Sequence, residues 1–146
     1  MSKILVTGAH GQLGTELNFL SSHLEYHSFV FVDYNDLDIT DDNAVNDFIQ
    51  KENYSAIINC AAYTAVDKAE SEKEIALKVN ANGVGILAKA AKSHNARFIH
   101  FSTDFVFDGN HSVPYLEDDE PNPLSVYGAS KLAGEKKMFE ENSESI

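Results

Sequence analysis

Short, uninterrupted apolar runs alternate along this chain with stretches whose apolar residues recur every three or four positions, the pattern of strands separated by helices. Ile4-Leu5-Val6 ends in Thr7-Gly8 and is followed by Leu13, Leu17 and Leu20 at helical spacing. Phe29-Val30-Phe31-Val32 is continuously apolar and stops at Asp33, which predicts a parallel strand covered on both faces. Asp41 is placed to cap a helix reaching about Lys51, with Ala44, Val45, Phe48 and Ile49 on its inner face. A third strand, Ala56 to Cys60, ends in the small-residue loop Ala61-Ala62-Tyr63-Thr64. One long helix is predicted from about Glu72 to Ser93, in which Gly83 and Gly85 permit close backbone approach. Arg97 to Phe101 reads as a fourth strand ending at Ser102-Thr103, and a last helix runs from about Ser125 to Glu141 before a frayed acidic tail. The segment 104–123 carries all three prolines and reads as a loop. Strand-helix alternation of this kind predicts an α/β fold: a Rossmann-type, doubly wound parallel sheet of four strands plus the final helix.

At 146 residues the chain has the length of one domain with one core, and 43% hydrophobic residues place it among globular chains. The net charge of −12 and a single arginine, Arg97, argue against nucleic acid as a partner, because phosphate neutralisation needs clustered cations. No apolar run reaches membrane-spanning length and the N-terminus lacks a secretory pattern, so a cytoplasmic protein with no membrane partner is expected. Cys60 has no C-x-x-C partner and reads as a small buried apolar side chain. The acidic run Glu117-Asp118-Asp119-Glu120 reads as solvated surface, and no metal is expected.

Candidate chemistry begins at the first strand-to-helix junction. Gly8-Ala9-His10-Gly11-Gln12-Leu13-Gly14 sets three glycines three residues apart. A turn there needs a residue without Cβ, a pyrophosphate needs close backbone approach, and a helix N-terminus offers free N–H groups to an anion. Asp33 stands at the end of the second strand, where an acidic side chain accepts hydrogen bonds from the adenosine ribose and repels a 2′-phosphate. No Lys or Arg occurs between Lys3 and Lys51, and NADH is therefore expected ahead of NADPH.

Tyr127-Gly128-Ala129-Ser130-Lys131 places a phenol and an ammonium four residues apart, on one face of the last helix. An ammonium beside a phenol favours the phenolate and makes the pair a proton donor to a developing alkoxide. Thr103 follows the fourth strand at its carboxyl end, where open α/β sheets bind ligands.

With these residues in place, the sequence resembles the extended short-chain dehydrogenase/reductase family, and within it the dTDP-4-dehydrorhamnose reductases. The segments that carry the resemblance are 6–14, Leu37-Asp38-Ile39-Thr40-Asp41, 59–70, 102–109 and 123–135; the run from Ala61 to Glu70 is the most specific. The resemblance implies that Thr103, Tyr127 and Lys131 are catalytic. It also implies that Gly11, Gln12 and Leu13 lie on the pyrophosphate, Asp38 and Ile39 beside adenine, and Ala62, Tyr63 and Thr64 along the middle of the cofactor. Thr103 and Asp104 would face a nucleotide sugar, and the implied reaction is reduction of the C4 ketone of dTDP-4-dehydro-L-rhamnose.

Two departures qualify that expectation. Phe105 stands where the family usually has tyrosine, which is expected to modulate activity. Family members also continue well beyond this length, with further strands and a C-terminal substrate region. The chain is thus expected to be the N-terminal dinucleotide-binding part, residues 1–146, of such a reductase: weak in dinucleotide binding, nearly inactive alone, and self-associating into a homo-oligomer through the open edge of its fourth strand or the face of the Tyr127 helix. The alternatives are a non-catalytic binding or regulatory relative and a nucleotide-sugar epimerase or dehydratase. Related dehydratases carry Asp-Glu after the fourth-strand threonine, where this chain has Asp104-Phe105.

Overall fold

A computed structural model describes residues 2–146. Four strands, β1 (Ser2–Thr7), β2 (His27–Val32), β3 (Tyr54–Asn59) and β4 (Arg97–His100), form one parallel sheet in the order β2-β1-β3-β4. Between them run α1 (Gln12–Ser21), α2 (Asp42–Ile49), α3 (Val66–Ala69), α4 (Lys73–Leu77) and α5 (Val84–Ser93), and α6 (Val126–Glu141) follows β4. The expected α/β sheet is therefore present, and its order reverses between β1 and β3. A sheet of this type opens a crevice at the carboxyl ends of the two strands that flank the reversal.

The core lies between the sheet and the helices α2, α5 and α6. Leu5, Ile57 and Phe98 from three adjacent strands meet Val45, Ile49, Val84, Leu87 and Met138 from those helices. Asp41 caps α2 as its position predicts, its carboxylate accepting the Ala44 N–H at 3.0 Å. Ser125 does the same for α6 through the Gly128 N–H.

The structure departs from the sequence reading at four places. β2 is an edge strand, and Phe29, Val30 and Phe31 are only half-buried, because an edge position covers fewer of their faces than a central one. The long helix runs unbroken from Lys73 to Ser93 but is not α-helical throughout: residues Lys78–Gly83 form a π-helical segment between α4 and α5, a widening that apolar spacing does not reveal. α3 adds a short helix to a stretch given no element, and a 3-10 turn at Asp104–Val106 lies in the segment read as loop. The acidic tail is not frayed either, since Asn142 and Ser145 are buried and Ile146 exchanges two backbone hydrogen bonds with β4, to Phe98 O at 3.0 Å and from His100 N at 2.8 Å. The outer edge of β4, expected to be open, is thus partly occupied by the chain itself.

Candidate active site

Gly8 and Ala61 mark the reversal point. Gly8 has φ +71°, and a Cβ there would lie 2.5 Å from the Ala61 nitrogen, so both the conformation and the contact with the loop after β3 require glycine. Gly14 is equally constrained, because a Cβ would meet the Gly8 carbonyl oxygen at 2.2 Å. Gly11 caps α1 without any side-chain hydrogen bond. The first-turn amides of Gln12, Leu13 and Gly14 are consequently left to an anion. A dinucleotide pyrophosphate suits this cradle of free amides, and glycine at position 8 lets the turn that forms it pack directly against the loop after β3.

Beside the cradle lies a cleft of 510 Å³. It brings together Gly8, Gly11, Asp33, Asp38, Ile39, Ala62 and Tyr63 of the residues singled out from sequence. Cys60 also lines it and is half-buried rather than a wholly interior side chain; burial pushes its thiol up to about 11, which keeps it protonated and unreactive at neutral pH. Lys78, from the π-helical segment, reaches the same cleft and acts on Asp38. The stretch from Lys3 to Lys51 lacks a cation, but the folded cleft does not.

Both carboxylates are held by hydrogen bonds, Asp33 across the fold and Asp38 within its own turn. Asp33 accepts the His10 backbone N–H on Oδ2 and the Tyr34 N–H on Oδ1, each at 2.8 Å, and the His10 amide is the larger cause of its lowered pKa. Each oxygen keeps a further lone pair for a ribose hydroxyl. Asp38 is likewise lowered, chiefly by the Thr40 hydroxyl at 2.6 Å. Ile39 is nearly buried and abuts Gly83, where a Cβ would come within 2.9 Å of its Cγ1.

The loop after β3 is secured from two sides. Asn80, fully buried in the π-helical segment, accepts the Tyr63 N–H at 2.8 Å and donates to the Tyr63 carbonyl and the Ser130 hydroxyl at 2.9 Å each. Glu70 accepts the Val126 N–H at 2.8 Å, which ties the Ala61–Glu70 run to the start of α6. The Tyr63 hydroxyl donates to Glu72, and that bond raises its pKa. Sequence reasoning missed Asn80; its only signal was one amide residue on an otherwise apolar helix stripe.

Thr103, Asp104, Tyr127 and Lys131 lie outside the 510 Å³ cleft, at the ends of β4 and α6. Thr103 caps the 3-10 turn, accepting the Phe105 N–H at 3.3 Å and donating to the Asp104 carboxylate at 3.2 Å. Phe105 rests edge-on against Tyr127 with ring centres 5.7 Å apart. Gly128 makes that contact accessible, since a Cβ there would lie 2.2 Å from the Phe105 carbonyl oxygen. Lys131 is 2% exposed; its Nζ donates to the Phe101 carbonyl and lies 3.2 Å from His100 Nε2. Burial brings Lys131 down to about 8 and His100 down to about 3.

Among the described residues no group of His, Cys, Asp and Glu is arranged to hold a metal, and no helix is long and apolar enough to cross a membrane.

Comparison with known proteins agrees with this geometry. A dTDP-4-dehydrorhamnose reductase of Aggregatibacter actinomycetemcomitans is 44% identical over 146 residues, covering 100% of this chain and 50% of that protein. The reductase of Mycolicibacterium smegmatis is 45% identical over 138 residues, 94% of this chain and 41% of its own length. A crystal structure of a dTDP-4-dehydrorhamnose reductase from Clostridium acetobutylicum superposes with a TM-score of 0.95 at 45% identity, covering 98% of this chain and 51% of that one. One from Bacillus anthracis in complex with NADP gives 0.95 at 38% identity, with 99% and 52% covered. The chain spans about half the length of the curated relatives it matches. Because the family described as RmlD substrate binding domain matches residues 2–146, the chain belongs to that family.

Proposed function

We propose that this chain forms the dinucleotide-binding part, residues 1–146, of a dTDP-4-dehydrorhamnose reductase, which reduces the C4 ketone of dTDP-4-dehydro-L-rhamnose. The observation that carries the reading is the junction of Gly8 with Ala61 at the sheet reversal, with the Tyr127–Lys131 helix tied to the same loop through Glu70 and Asn80. A bound nicotinamide dinucleotide would supply hydride.

The chain's own residues divide the remaining work. Gly8, Gly11 and the amides of Gln12, Leu13 and Gly14 receive the pyrophosphate. Asp33 holds the adenosine ribose, with Asp38 and Ile39 toward the base, and Ala62, Tyr63 and Thr64 line the middle of the cofactor. Tyr127 gives its proton to the new alcohol oxygen, Thr103 holds that oxygen by its hydroxyl, and Asp104 meets the sugar. Lys131 holds the nicotinamide ribose and favours proton release from Tyr127. NADH is preferred to NADPH, because the Asp33 carboxylate repels a 2′-phosphate, although the relative from Bacillus anthracis is in complex with NADP. The protein acts in the cytoplasm on a nucleotide sugar and on neither nucleic acid nor membrane.

Titration of NADH into the chain, followed by NADH oxidation with the ketosugar nucleotide in a chain extended to the length of its relatives, tests the reading. Binding of NADH with turnover only in the extended chain is the expected result. Absence of dinucleotide binding in both forms would overturn it. A dehydratase is disfavoured by Phe105, which can neither donate nor accept the proton that elimination of water requires.

A further inference from the structure

The carboxyl ends of β1, β3 and β4 are joined by one chain of hydrogen bonds whose donors and acceptors can be assigned. Thr7 donates its hydroxyl to Asn59 Oδ1 at 2.7 Å, and the Ala61 backbone N–H donates to the same oxygen at 3.1 Å. A backbone N–H has no alternative to donating, so it orients the Asn59 amide with its oxygen toward Ala61 and its nitrogen away. That nitrogen lies 3.0 Å from His100 Nδ1. Nδ1 must therefore accept, and a neutral imidazole that accepts at Nδ1 carries its proton on Nε2.

His100 Nε2 is 3.2 Å from Lys131 Nζ. An ammonium has only donors, and would set N–H against N–H. A neutral amine has a lone pair for the Nε2 proton and still donates to the Phe101 carbonyl. Among the described residues no hydrogen bond joins Lys131 to Tyr127, one turn earlier on α6. The lysine nitrogen is thus held by groups of β4 and its end, not by the phenol it is expected to serve.

We propose that His100 is a positioning residue for Lys131: its Nε2–H holds the neutral amine in that place, and protonation of the amine breaks that bond and releases the side chain toward Tyr127 and the cofactor ribose. The proposal rests on the reading of Tyr127 and Lys131 as the proton-transfer pair. Position and charge of the lysine are then coupled, because only the uncharged form satisfies Nε2–H. The groups that face Lys131 are few. Glu135, on the next turn of α6, favours its charge and is itself bonded by the Ser102 hydroxyl; His100 and the Phe101 carbonyl approach from β4 and its end. Desolvation lowers both members of the pair, which leaves an uncharged imidazole beside an amine that titrates close to neutrality.

Nitrogen NMR of the unmutated chain reads the imidazole tautomer directly, and does so without cofactor. The expected result is a neutral His100 ring protonated on Nε2 at high pH, where Lys131 is uncharged; a ring protonated on Nδ1 overturns the proposal. Carbon NMR of the lysine side chains then follows Lys131 in the wild type and in His100→Phe. Removal of the Nε2–H donor destabilises the neutral amine, and the midpoint should rise by about one pH unit, the size of one hydrogen bond. A fall in the midpoint would mean that Nε2 had been accepting from the ammonium, which contradicts the proposal. Failure of NADH to bind would instead overturn the proposed function, and leaves the tautomer measurement standing.

Discussion

The Asp33 carboxylate accepts the backbone N–H of His10 at 2.8 Å, so the acidic residue that follows β2 also holds the glycine turn that follows β1. Asp33→Ala removes both this support and the charge that repels a 2′-phosphate. NADH affinity should fall by roughly tenfold, the size of one charge-assisted hydrogen bond, while NADPH affinity changes less, and the gap between them narrows. Titration of both nucleotides into both proteins measures this. Tighter NADPH than NADH binding to the unmutated chain would contradict the assigned role.

The same bond shapes stability in acid. Asp33 is held below the ordinary aspartate value of 3.8, mainly by the His10 amide and then by the Tyr34 amide. The unfolded chain therefore binds this proton more tightly than the folded one. Its contribution is complete above the ordinary value and is lost as pH falls through the lowered one. Asp33→Asn should be less stable than wild type at neutral pH, with the difference shrinking below about pH 4, as denaturant melts at several pH values would show.

Tyr127→Phe keeps the ring that meets Phe105 edge-on and removes only the hydroxyl. In a chain extended to the length of its relatives, turnover should drop by roughly 10²–10⁴-fold, the range for a lost general acid, with NADH affinity nearly unchanged. Lys131→Ala should lower both. Retention of most turnover in Tyr127→Phe would place the proton donor elsewhere.

Gly128 sits where a Cβ would be 2.2 Å from the Phe105 carbonyl oxygen and 3.0 Å from its carbon. The obstacle is backbone, so Gly128→Ala must push the 3-10 turn away from α6. Overpacking of this kind costs about 1–3 kcal/mol, and Tm should fall by roughly 2–4 °C for each kcal/mol in a chain of this size. An unchanged melting curve would show that the turn yields freely.

The tail 142–146 covers part of the β4 edge through the two hydrogen bonds of Ile146. Deleting it exposes Phe98 O and His100 N to other chains. Sedimentation should show more self-association in the shortened protein than in the 146-residue chain; equal behaviour would mean that association, where it occurs, uses another surface.

Sequence alone determined the strand-helix order, the helix starts at Asp41 and Ser125, and the glycine turn before α1. Those features depend on residues close together in the chain: apolar runs, a capping oxygen three residues from its amide, a missing Cβ at a tight turn. Ile4-Leu5-Val6 and Ala56-Ile57-Ile58 announce strands because each is locally complete. The exposure of β2 was not legible, because continuous apolarity reports composition, whereas burial depends on what lies beside the strand. Nor was the contact of Asn80 with Tyr63 and Ser130, or of Lys131 with His100, since each joins residues 17 to 50 positions apart. The arrival of Lys78 in the cleft of Asp33 and Asp38 has the same origin. Tertiary structure decides such pairings because an amide or amine out of water must find partners wherever the folded chain places them, and the sequence records the polar residue but not the partner.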